Sequence, residues 1–171
     1  MNKFLLLFFV LFFLTLSFKP VFAQDEVKQT DYIVTGYCSV NDLKNNTLTS
    51  DWFVPVYAGY QPDAQVMNQI KTLSVRNYTF TLVMGTWCGD SKEHIPCFYK
   101  ISDEAGFIQD DIIMICVDKQ KLAGGIELSS LNIVKIPTFI VFLDDEEIGR
   151  IVETPAETLE KDLLNIFINA K

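Results

Sequence analysis

Positive charge is in short supply in this chain. Fourteen lysines and arginines face 22 aspartates and glutamates, with one histidine, for a formal net charge of −8 over 171 residues. So acidic a balance argues against nucleic acid or an anionic membrane surface as partner, and its plainest use is solubility. The four cysteines, at positions 38, 88, 97 and 116, include no Cys-x-x-Cys pair, and His94 stands alone, which makes a zinc site improbable. Long apolar runs are scarce as well. The one near the start, FLLLFFVLFFLTLSF over residues 4–18, falls short of the ~20 residues needed to span a bilayer.

That run is bounded by Lys3 and Lys19 and followed by Val21-Phe22-Ala23, which sets small side chains where a signal peptidase reads. The pattern predicts a signal peptide over residues 1–23, cleavage before Gln24, and an exported protein, periplasmic or secreted, with no stable membrane insertion. Cleavage removes Lys3 and Lys19 and no acid, so the formal charge moves from −8 to −10. Residues 24–171 are sized for one domain that buries its own core. An oxidising compartment allows disulfides to persist, and four cysteines allow three complete pairings.

Periodicity gives an order of elements. Residues 24–31 are polar and expected to be disordered; residues 32–40, YIVTGYCSV, alternate as a strand, and NDLKNNTLTSD after them reads as a turn-rich loop. Two glycosylation sequons, Asn45-Asn46-Thr47 and Asn77-Tyr78-Thr79, matter only in a eukaryotic host. The aromatic stretch WFVPVYAGY, residues 52–60, is expected to pack an N-terminal extension, residues 24–60, against the main domain, residues 61–171. From Pro62 the patterns alternate: a helix with Val66, Met67, Ile70 and Leu73 on one side, a strand at 78–85, and a helix from Ser91 with a kink expected at Pro96. A buried strand at 111–118, a short helical segment, a hairpin over 138–152 turning at 144–147, and an amphipathic helix complete the series. Such alternation predicts an α/β fold with a mostly parallel sheet covered by helices and an antiparallel edge from the last hairpin.

The stretch GTWCGDSKEHIPCF, residues 85–98, carries the chemistry. A strand, then Trp87-Cys88-Gly89, then a helix with Pro96 inside it, and later Ile136-Pro137-Thr138 entering a hairpin, together resemble a thioredoxin from about Pro62 onward. The WCGDS pattern also resembles a branch of exported bacterial thioredoxin-like proteins of the Bacteroidetes type. The resemblance implies a thioredoxin fold, a central mixed β-sheet flanked by helices, with a short N-terminal extension. It implies Cys88 as nucleophile at a helix N-terminus, where unpaired N–H groups and the helix dipole favour a thiolate. It implies a cis-Pro137 beside that thiol, with Trp87, Ile136, Pro137 and Thr138 forming the substrate groove. No cofactor is implied, and the partners are protein or small-molecule thiols and disulfides.

Three departures from the thioredoxin pattern bear on mechanism. Ser91 replaces the resolving thiol, Asp90 replaces the usual proline, and Leu82 stands six positions before Cys88, where reducing thioredoxins carry a buried proton-relay aspartate. Asp90 opposes a thiolate at Cys88, whereas Ser91 assists it by donating a hydrogen bond. Cys97 is no substitute resolver, since nine residues of helix put it ~13 Å along the axis from Cys88. Disulfide Cα atoms lie at most ~6.8 Å apart. Cys116 reads as a small apolar residue in a strand; Cys97 either packs inward or pairs with Cys38; pairing of Cys88 with Cys38 or Cys116 is a minority alternative. His94 is expected to be exposed and without a catalytic role. Two functions follow: a single-thiol oxidoreductase working through Cys88 and Ser91, or a redox-inactive module that holds partner segments in the cis-proline groove.

Overall fold

The structure, a computed structural model, describes residues 33–73 and 77–170. The expected signal peptide and the polar segment after it lie outside the described residues. Strand β1 (Gly36–Cys38) leads into helices α1 (Val40–Asn45), α2 (Thr47–Gly59) and α3 (Ala64–Leu73). Strand β2 (Tyr78–Met84), helix α4 (Gly89–Ala105), strand β3 (Ile112–Cys116), the hairpin β4 (Thr138–Leu143) and β5 (Glu146–Val152), and helix α5 (Leu159–Asn169) follow.

The strand expected over residues 32–40 is confined to β1, and the expected loop after it is helical. Its polar residues act as caps. The Ser39 hydroxyl accepts from the Asp42 N–H, and the Asp42 carboxylate accepts from the Ser39 hydroxyl at 2.7 Å and from the Ser39 N–H at 2.8 Å, which together hold Asp42 below its ordinary carboxylate range. Asn46 caps α2 in the same manner, accepting from the Leu48 N–H at 2.9 Å. These helices bury few side chains, Leu43 in one and Thr49 and Phe53 in the other, so a sparse apolar pattern is all that a sequence reading has to work with. Helix α2 packs against α4, as the aromatic stretch implied.

The five strands lie in the order β1-β3-β2-β4-β5. Among the described residues only β2 and β3 run parallel; β1 is antiparallel to β3, β4 to β2, and β5 to β4. The mostly parallel sheet expected from the alternation is therefore corrected, and the central mixed sheet flanked by helices is what the structure has. The connection from β3 to β4 holds one 3-10 turn, Ser129–Leu131, where the helix that usually carries a parallel crossover would be. The hairpin turn is the two residues Asp144 and Asp145, both at positive φ (51° and 67°), as a type I′ turn requires.

Alternation along the strands sorts two apolar layers. Phe80, Leu82, Met84, Met114, Phe139 and Val141 face the helices, where Phe53, Ile70, Phe98, Ile101 and Phe167 complete the main core. Val83, Ile115, Val117 and Ile136 form a smaller cluster with Trp87 and Cys88, packed against the connection that carries Ile126, Leu128 and Leu131. The architecture is an α/β fold, a five-stranded mixed sheet flanked by helices, with the ends of β2 and β3, the start of α4 and the turn before β4 converging at one end of the sheet.

Candidate active site

Strand β2 ends at Met84, and the chain turns through Gly85, Thr86 and Trp87 to reach Cys88, the N-cap residue of α4. The turn is held by the Cys88 N–H donating to the Gly85 carbonyl at 2.9 Å. Glycine is required at 85 for space. A Cβ there would lie 2.8 Å from the Trp87 ring and 3.0 Å from Ile136 Cδ1. The Trp87 indole N–H donates to the Val117 carbonyl at 2.9 Å, which fixes the ring beside the thiol.

Cys88 is free and half-buried. Its Sγ lies 3.6 Å from the Ile136 carbonyl, toward which the thiol points its proton. The Ile136–Pro137 bond is cis, as the resemblance implied, and the Pro137 carbonyl accepts from the Glu153 N–H at 2.7 Å. Trp87, Cys88, Ile136 and Pro137 are thus brought together. Thr138 begins β4 in the same turn, but its buried hydroxyl donates back to the Lys135 carbonyl at 2.6 Å. Ser91 is fully buried, and its hydroxyl accepts from the Gly85 N–H at 3.3 Å.

The other thiols have other fates. Cys38 and Cys116 are bonded to each other, with Cα atoms 6.3 Å apart, so Cys116 is a structural half-cystine rather than the apolar strand residue expected. Antiparallel pairing explains the choice: Cys38 sits opposite Met114 and Gly36 opposite Cys116, which brings the two cysteines within diagonal reach. Cys97 packs inward and donates to the Glu93 carbonyl at 3.1 Å. Burial, with Glu93 and Glu160 nearby, pushes its thiol up to about 12.

Sequence reasoning missed the charged rim. Lys135 pairs with Glu153, which raises its pKa, and the Asp90 carboxylate acts on it in the same direction. His94 is not an exposed bystander, because it is half-buried and its Nε2 is enclosed without a hydrogen-bond partner. Nearby, the Tyr60 hydroxyl and the Asp63 N–H both donate to the Glu160 carboxylate, whose residue is only 3% exposed. Nothing in the spacing of Tyr60, Asp63 and Glu160 announces that contact across one hundred residues. Among the described residues, no group of three or more histidine, cysteine, aspartate or glutamate side chains is arranged to hold a metal ion, and no helix is long and apolar enough to cross a membrane.

No family model matches this chain, and no curated protein does. Solved structures similar to it include a protein of unknown function from Pseudomonas aeruginosa, at 15% identity and a TM-score of 0.49, covering 71% of this chain and 81% of that one. An HIV epitope scaffold is similar at 17% identity and a TM-score of 0.43, covering 72% and 74%. A mutant thioredoxin from Halobacterium salinarum is similar at 15% identity and a TM-score of 0.37, covering 64% and 86%.

Proposed function

We propose that this protein is an exported thiol-disulfide exchange protein that works through a single nucleophile, Cys88. The observation that carries the reading is the free, half-buried Cys88 at the N-cap of α4, its Sγ 3.6 Å from the carbonyl of Ile136 in the cis-proline turn. The Cys88 thiolate attacks one sulfur of a substrate disulfide. A Cys88–substrate disulfide forms and the other substrate sulfur leaves as a thiolate. Attack by that thiolate, or by another thiol of the substrate, on the mixed disulfide then restores Cys88. No net electrons are transferred, so the cycle suits isomerisation or trapping rather than reduction. Ser91 supports the nucleophile from the first turn of α4, and Trp87, Ile136 and Pro137 shape the groove. Export with loss of residues 1–23 is part of the proposal, and the Cys38–Cys116 bond fits an oxidising compartment.

The test is to incubate the protein with a protein bearing an exposed disulfide, quench with acid, and search for a mixed disulfide by mass. Adducts on Cys88 that vanish in Cys88→Ser support the reading; unmodified Cys88 under every condition removes it. A second reading, a binding module without redox turnover, is favoured by the fully buried Leu82 in mid-β2 and by the engagement of Ser91 with Gly85. It predicts that Cys88→Ser binds partners as the unsubstituted protein does.

A further inference from the structure

One residue, Glu153, ties the charged rim beside Cys88 to the cis-proline turn. Strand β5 ends at Val152, and Glu153 follows at φ 67°, in the left-handed region that glycine enters without strain and glutamate does not. Its backbone N–H donates to the Pro137 carbonyl at 2.7 Å, and its carboxylate pairs with the Lys135 ammonium. The two bonds fall on either side of Ile136, whose carbonyl lies 3.6 Å from Cys88 Sγ. The same turn is held twice more: the Thr138 hydroxyl donates to the Lys135 carbonyl at 2.6 Å, and the Lys121 ammonium donates to the Val134 carbonyl. A glycine at 153 would keep the backbone bond and shed the strain, so the glutamate points to a use for its side chain.

That use is not stability. The side chains of Lys135 and Glu153 are 57% and 35% exposed, and a pair so open to water adds little to the fold. Its consequence is the place it gives a charge. Lys135 directly precedes Ile136, and its ammonium is within electrostatic reach of Asp90 in the first turn of α4, two residues from Cys88. On α4, Lys92 stands one turn on, its N–H bonded to the Cys88 carbonyl. From the remaining wall, Asp118 and Lys119 follow Val117, which holds Trp87, and the Asp118 carboxylate accepts from the Gln120 and Leu122 N–H groups. Loss of the Glu153 carboxylate would leave the Lys135 charge unmatched beside the turn that faces the thiol.

We propose that Glu153 is a positioning residue for exchange at Cys88: it holds the cis-proline turn on both sides of Ile136 and neutralises Lys135 there, so that the groove does not draw anionic disulfides. This deepens the exchange reading and rests on it.

The experiment compares a neutral reagent, 2-hydroxyethyl disulfide, with a dianionic one, 3,3′-dithiodipropionate, at low ionic strength, each rate divided by that of free N-acetylcysteine. The Cys88 thiolate displaces one half of the reagent as a thiolate and forms a Cys88–reagent disulfide, which is read by mass after an acid quench. Glu153→Gln and Glu153→Gly are each expected to raise the anionic-over-neutral ratio about fivefold over the unsubstituted protein. Glu153→Gln/Lys135→Gln is expected to return it to within about twofold, because the effect runs through Lys135. A rise of less than about threefold in either single variant, or a rise that the double variant keeps, overturns the proposal. A merely structural residue would slow both reagents alike and leave the ratio unmoved. If Cys88 reacts with neither disulfide, the exchange reading fails, and the charge setting is judged separately by alkylation of Cys88 with iodoacetate against iodoacetamide. The same criteria apply to that ratio, and a Cys88 that meets neither reagent overturns the proposal as well.

Discussion

At the scale of single residues, what separates the two free cysteines is burial. Cys97 is a buried residue of α4 with its thiol pushed up to about 12, so at pH 8 almost none of it is thiolate; Cys88 is half-buried at the helix start. Brief treatment of the native protein with iodoacetamide at pH 8 is therefore expected to alkylate Cys88 and leave Cys97 unmodified until the protein is unfolded, which peptide mapping reads directly. Gly85 is the second residue on which the site depends. Gly85→Ala forces a methyl against Trp87 and Ile136, and overpacking of that kind costs about 1–3 kcal/mol. A lowered urea midpoint together with a change in Trp87 fluorescence is the expected signature. Both residues were legible in part: Cys88 announced itself through Trp-Cys-Gly at a strand-to-helix junction, whereas the need for glycine at 85 arises from a ring two residues on and an isoleucine fifty-one residues away.

Among the elements, β1 is the one most dependent on a single bond. Three residues of edge strand hold little by themselves, and the Cys38–Cys116 disulfide fastens them to β3. Removing it with Cys38→Ala/Cys116→Ala is expected to lower stability by about 2–4 kcal/mol. Amide exchange should quicken first in residues 34–38, where the Val34 N–H bonds the Thr86 hydroxyl beside the site. Elements with dense apolar patterns, β2, β3, the hairpin and α5, were readable because burial on one or both faces dictates their composition. Helices α1 and α2 were not, since their caps Ser39 and Asn46 resemble loop residues and their buried faces are thin. The disulfide was hidden for a related reason: in IIMIC a bonded cysteine and an apolar one look alike until the direction of β1 is known.

For the whole molecule, the buried thiol and phenols govern the alkaline limit. Burial raises Cys97 from 9.0 to about 12, and raises Tyr60 and Tyr99 well above 10.0. These groups stay protonated in the fold while the unfolded chain loses their protons, so the stability they contribute is fully present below about pH 9 and is lost as pH rises from there toward 12. Urea midpoints are expected to fall between pH 9 and pH 11. A midpoint that holds steady across that interval would show the three groups to be solvated. Acid acts on the opposite sign of shift. Glu160, held below its ordinary 4.5 by hydrogen bonds from Tyr60 and the Asp63 N–H that outweigh its burial, loses its contribution as pH falls through that lowered value.

The central claim is that Cys88 acts without a partner thiol in its own chain. The measurement that meets it most directly is peptide-mapped mass spectrometry of protein taken from its native compartment and alkylated at once, so that each of the four cysteines reports its state. The account predicts Cys38 bonded to Cys116, Cys97 reduced, and Cys88 either reduced or bonded to a second molecule whose mass identifies the substrate. Cys88 bridged to another cysteine of the same chain would contradict it.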